Sequence, residues 1–113
     1  MSLVIYHNPR CSKSRQTLQL IQDNGGDPKI IEYLDNPPSI EELKDIITKL
    51  GITPRQLLRK KEAAEAGLHD NTLSDDAIIA GMVANPRAIE RPIVIKDNKA
   101  VLGRPPENVL DLL

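Results

Sequence analysis

The chain has 113 residues, with 15 Lys and Arg against 16 Asp and Glu, a formal net charge of −1, and 2% aromatic residues. That length supports one domain with one core and calls for no metal or disulfide staple. The balanced charge and a ring inventory of only Tyr6 and Tyr33 argue against a general nucleic-acid binder, and the single cysteine, Cys11, excludes an internal disulfide.

The apolar run Leu3-Val4-Ile5-Tyr6 reads as a strand, followed by a turn at His7-Asn8-Pro9-Arg10. A helix is predicted from about Ser12 to Asn24, stopped by Gly25-Gly26. Asp27-Pro28 turns the chain into a second strand, Lys29 to Leu34, which Asn36-Pro37-Pro38 breaks. Ser39 with Glu42 three residues on forms a capping box, and Leu43, Ile46, Ile47 and Leu50 make one apolar helical stripe ending at Gly51. Thr53-Pro54 restarts a helix with Thr as N-cap and Pro as first residue, anchored by Leu57 and Leu58. Lys60 to Ala66 is charged and alanine-rich, and reads as a solvated helix ending at Gly67. Ser74 caps a further helix carrying Ala77, Ile78, Ile79 and Met82, closed by Asn85-Pro86. Pro92 to Lys96 and Lys99 to Leu102 are predicted to pair as a hairpin across Asp97-Asn98. A last short helix follows Gly103-Arg104-Pro105-Pro106, with Val109, Leu110 and Leu113 expected to face inward.

No segment reaches transmembrane length, no His/Cys cluster has metal-ligand spacing, and the apolar stretch after Met1 is too short for a secretory signal. A reduced, cytoplasmic setting with no membrane association is therefore expected, as a monomer by default.

Cys11 stands in the segment His7-Asn8-Pro9-Arg10-Cys11-Ser12-Lys13-Ser14-Arg15. At the start of a helix, unpaired N–H groups and the positive dipole end favour an anion. Arg10, Lys13 and Arg15 add fixed charge, and His7 can add more when protonated, so a nucleophilic thiolate is expected in place of a buried structural thiol. Arg15, four residues after Cys11, can share its helix face. His7 could hold Cys11 ionised, or could simply bond the turn backbone. Ser12 and Ser14 could donate to a thiolate or oxyanion, or serve only as helix-start residues.

The element order is β-α-β, a helical block, then β-β-α. A right-handed crossover makes the first two strands parallel, and the hairpin adds two antiparallel strands. This resembles the thioredoxin fold: an α/β domain with a four-stranded mixed sheet flanked by helices, here with a helical insertion between its halves, all within residues 1–113. In that fold a cis-proline precedes the third strand and faces the reactive sulfur. The resemblance implies that Arg91–Pro92 is cis.

The segment from His7 to Arg15 resembles the His-X3-Cys-X3-Arg motif of the glutaredoxin-linked arsenate reductase family, ArsC. Tyr33-Leu34 with Asn36-Pro37-Pro38, Leu57-Leu58-Arg59-Lys60, Glu90-Arg91-Pro92-Ile93-Val94 and Gly103-Arg104-Pro105-Pro106 agree in order and spacing. The resemblance spans Val4 to Asp111. It implies a catalytic group of Cys11, His7 and Arg15, with Cys11 attacking arsenate and Arg59, Arg91 and Arg104 lining the oxyanion site. Locally, Arg59 could equally be a surface cation complementing a helix end. The resemblance also implies no bound cofactor or metal, glutathione as co-substrate, and glutaredoxin as the partner that reduces the Cys11–glutathione disulfide. Ser14 stands where Cys-X-X-Cys proteins carry their resolving cysteine, so reducing equivalents must come from external thiols. Two alternatives stay open: a glutathione-linked thiol oxidoreductase acting on another substrate, and an Spx-like regulator that binds RNA polymerase.

Overall fold

The central strand β1 (Leu3–His7) is apolar up to its last residue, with Ile5, Tyr6 and His7 buried. It pairs in parallel with β2 (Lys29–Glu32) and antiparallel with β3 (Ile93–Lys96), which pairs antiparallel with β4 (Lys99–Leu102). Among the described residues, 3–113 of this computed structural model, the sheet order is β2-β1-β3-β4. The fold class is the expected one.

The chain divides into two compact units, one comprising the residues up to Asn36 with Arg91–Leu113, the other Pro37–Glu90. In the first unit, helix α1 (Ser12–Asp23) and a C-terminal 3-10 helix (Pro106–Asp111) pack together on the sheet. Ile5, Ile21, Val94, Val109 and Leu112 form the buried cluster, flanked by Leu3, Leu18, Leu20 and Val101. Burial of such aliphatic side chains contributes about 1.5–3 kcal/mol each.

Two sequence expectations need correction here. The second strand ends at Glu32, two residues short of Leu34, because the Glu32 carbonyl accepts from the N–H groups of Asp35 and Asn36 and closes a turn. At the C-terminus, Leu110 and Leu113 are exposed while Val109 and Leu112 are buried. An α-helix would have brought 109, 110 and 113 onto one face. The 3-10 form has three residues per turn, so 109 and 112 align instead.

The second unit is helical. Ser39 caps α2 (Ile40–Leu50) through a complete capping box with Glu42, and Gly51 terminates it in the left-handed region that glycine tolerates. Leu43, Ile46 and Ile47 are its buried stripe. Thr53 and Gln56 form a second capping box around a 3-10 turn, Pro54–Leu57. Helix α3 (Lys60–Glu65) is largely exposed, as expected, and buries Ala63 where it packs against the 3-10 turn Pro86–Ala88. Helix α4 (Asp75–Ala84) is capped by Ser74 and buries Ile78, Ile79 and Met82. A short antiparallel bridge, Leu58 with Ile89, ties the unit together through Arg59 N–H to Ala88 O and Glu90 N–H to Leu57 O, both 2.8 Å.

Ser39→Ala removes one arm of the α2 capping box and should lower stability by about 1 kcal/mol. A urea melt with an unchanged midpoint would refute that role for Ser39.

Candidate active site

Tyr6, Ile93 and Leu102 lie in register across β1, β3 and β4. The segments just beyond them, His7 to Cys11, Arg91-Pro92 and Gly103-Arg104, therefore emerge at one end of the sheet. Residues more than ninety positions apart in sequence meet there because the antiparallel pairing of β3 returns the chain to that end. Arg91–Pro92 is cis, and so is Arg104–Pro105, which the sequence reading did not anticipate.

Cys11 occupies the N-cap position of α1 with extended dihedrals, and its backbone N–H bonds Asn8 O at 3.0 Å. Asn8 is buried and shapes the turn, its Oδ1 accepting from Arg10 N–H at 3.0 Å. Cys11 is partly exposed and forms no disulfide. Partial burial pushes the thiol pKa up, but the Ser14 N–H, a hydrogen bond and charge from Arg91, and the Lys13 N–H together bring it below its ordinary value. The side chain of Cys11 closes no capping hydrogen bond of normal length, so these amides act across a longer approach. Arg104 Nη1 stands 3.9 Å from Sγ, at the outer edge of a sulfur hydrogen bond, and 3.3 Å from Arg91 O. At that distance Arg104 makes no more than a weak hydrogen bond to the sulfur, while its charge stands beside it.

The structure thus assigns the charge beside Cys11 differently from local sequence. Arg10 and Lys13 have exposed side chains; Lys13 acts on the sulfur through its backbone. Arg15 turns its Nη1 to Pro9 O at 2.9 Å and braces the loop leading to Cys11. His7 does not reach the sulfur directly. Its Nδ1 is 2.7 Å from Ser14 Oγ, which also accepts from Asn8 N–H at 3.0 Å. Burial pushes the His7 pKa down, Glu32 opposes this, and Arg15 adds to it. In the Nε2–H tautomer of the neutral ring, Nδ1 accepts the Ser14 hydroxyl, and this contact holds the residue whose N–H lowers the Cys11 pKa. Arg59 belongs to the helical unit as N-cap of α3, with Nε 3.0 Å from Glu62 Oε2. Sequence reasoning overlooked Glu62; the i,i+3 spacing from Arg59 was the available signal. It placed a turn at Asn8-Pro9 but did not foresee the buried Asn8 side chain accepting from Arg10 N–H within it.

Among the described residues no cluster of three or more His, Cys, Asp or Glu could hold a metal, and no helix is long and apolar enough to cross a membrane. Residues 6–112 match the model of the ArsC family. The "Uncharacterized protein YfgD" of Escherichia coli is 48% identical over 112 residues, covering 96% of this chain and 94% of that one. The "Arsenate reductase" of Neisseria meningitidis serogroup A is 44% identical over 108 residues, 93% of this chain and 92% of its own. Among solved structures, "Arsenate reductase from Vibrio cholerae" superposes with a TM-score of 0.95 at 51% identity, over 100% of this chain and 98% of that one.

Two pH dependences follow. Alkylation of Cys11 by iodoacetamide should reach half its limiting rate below the pH at which a free cysteine does, and Arg91→Gln should move that midpoint upward. An unshifted midpoint in the variant would remove Arg91 from the ionisation argument. Because folding lowers the His7 pKa, the unfolded chain binds more protons between the folded value and the ordinary value near 6.5. Stability should therefore rise with pH across that window and fall on acidification, with a flatter profile in His7→Gln. Urea midpoints with the same slope in both proteins would assign the effect elsewhere.

Proposed function

Given that this chain belongs to the ArsC family, we propose that it reduces arsenate to arsenite with Cys11 as nucleophile. The observation that carries this reading is the partly exposed Cys11 sulfur, with lowered pKa, facing the guanidinium groups of Arg91 and Arg104. Arsenate is an anion near neutral pH and repels a thiolate. A site that joins the two must supply more positive charge than the ligand removes. Guanidinium does so with paired donors and a charge that does not titrate away. The same donors stabilise charge moving onto the oxygens as the bond to arsenic forms. Arg59 is the third arginine of this proposed set, on the strength of the family motif, with Glu62 holding one edge of its guanidinium.

In the proposed sequence, Cys11 Sγ forms a bond to arsenic and one arsenate oxygen leaves, protonated, as water. The thiolate of glutathione then attacks the Cys11 sulfur. The electron pair of the S–As bond passes to arsenic, which departs as arsenite, and Cys11 is left in a mixed disulfide with glutathione. Glutaredoxin takes the glutathionyl group and returns Cys11 to the thiol. Ser14 at the second position of the Cys-X-X-Cys spacing supports external resolution, because the chain has no second cysteine. It also weighs against a disulfide-switched regulator.

The assay is arsenate with glutathione, glutaredoxin and NADPH-driven recycling. NADPH oxidation should depend on arsenate and on both thiol components, and Cys11→Ser should abolish it. Arg91→Ala and Arg104→Ala should each raise the arsenate KM by about tenfold or more, the loss expected for a charged hydrogen bond. Absence of arsenate-dependent turnover, or arginine variants with wild-type kinetics, would end the proposal.

A further inference from the structure

Arg104 is carried on an irregular stretch between the end of β4 at Leu102 and the 3-10 helix that begins at Pro106. Loop carbonyls of this kind ordinarily turn to water. Here the last carbonyl of β4 and the next two after it accept from protein side chains. Asn108 Nδ2 donates to Leu102 O and to Arg104 O, each at 3.2 Å, and Thr17 Oγ1 donates to Gly103 O at 3.2 Å. The amide nitrogen has two hydrogens and serves both carbonyls at once; the flipped amide would set Oδ1 against two carbonyl oxygens, so its orientation is determined. Thr17 has one hydroxyl proton and shares it with Lys13 O at 2.8 Å, which makes it the weaker tie.

Gly103 adds a steric limit to these bonds. Its N–H donates to Pro92 O at 2.9 Å. A Cβ at this position would lie 2.5 Å from Thr17 Oγ1 and 2.8 Å from Pro92 Cγ. The backbone on both sides of the Arg104 Cα is thus held against α1, Pro92 and the 3-10 helix, and the guanidinium arrives beside Sγ and Arg91 O. An arginine on a mobile loop must be ordered when it captures an anion; one on a fixed backbone has only its own rotamers left to lose.

We propose that Asn108 is a positioning residue for oxyanion capture, with Thr17 as its lesser partner. Asn108 acts through the backbone that presents Arg104 and makes no contact with the ligand. This assignment rests on the oxyanion reading of the Cys11 site.

The test uses Asn108→Ala, Asn108→Asp, Thr17→Val and Thr17→Ser, with Asn108→Ala also made in an Arg104→Ala background. Two readouts are taken: arsenate KM and kcat in the coupled assay, and the arsenate concentration that protects Cys11 from iodoacetamide, which needs no turnover. Asn108→Ala should raise KM and the protecting concentration about fivefold, the worth of a hydrogen bond, with kcat nearly unchanged. Asn108→Asp, which sets a carboxylate against two carbonyls, should do worse. Thr17→Val should have a smaller effect, absent in Thr17→Ser. In the Arg104→Ala background, Asn108→Ala should add nothing. The same increment in that background would mean general loosening and overturn the proposal, as would Asn108 variants with wild-type KM and protection. Should Thr17→Val not fold, the half-buried Asn108 carries the decision alone. Failure of arsenate to protect the wild-type thiol is a different result: it overturns the oxyanion reading before any Asn108 variant is measured, and the positioning role with it.

Discussion

The constraint at the centre of the first unit is to lower the pKa of one thiol while leaving it reachable. Those requirements oppose each other, since burial raises a thiol pKa and exposure invites water to screen the groups that lower it. The chain meets both with donors that cannot lose their protons: two backbone amides of α1 and the guanidinium of Arg91. Backbone N–H groups and arginine carry their positive ends at any physiological pH. A histidine directly on the sulfur would have tied reactivity to its own titration.

The sheet supplies the rigid frame. β1 delivers the turn that ends at Cys11, β3 starts immediately after Arg91-Pro92, and β4 ends immediately before Gly103-Arg104. Strand pairing sets these three exits side by side. The buried cluster of Ile5, Ile21, Val94, Val109 and Leu112 then locks α1 to the sheet, so that the helix start cannot drift from the arginines. Below the sulfur, His7, Ser14 and Asn8 form a small hydrogen-bonded set that holds the turn and the first helical residues in one geometry. A neutral His7 suits this role, because its ring then bonds Ser14 without bringing an ion into a buried place.

Local signals in the sequence were reliable wherever a backbone device has a side-chain signature. Ser39 with Glu42, Thr53 before Pro54, Ser74, and Gly51 all mark helix ends that the structure shows. The alternation of strand and helix patterns was enough for the mixed sheet. Where two helix types share a composition, the sequence misled: the final turn reads as α by its leucines, yet forms a 3-10 helix and buries Leu112 in place of Leu110 and Leu113. The end of β2 was misplaced because Tyr33 and Leu34 have strand character, and only the Glu32 turn decides where pairing stops.

The sequence by itself determined the lone cysteine at a helix start, the order of the elements and the arginines near the strand ends, because each is a property of residue type and short-range spacing. Which cation acts on the sulfur was decided only by tertiary structure. Arg10, Lys13 and Arg15 are nearest along the chain, but the turn and the helix start leave their side chains outward or bonded back to the turn, whereas Arg91 arrives from eighty residues away through β3. Electrostatic influence depends on distance and orientation in space, and in a folded sheet neither follows from distance along the chain.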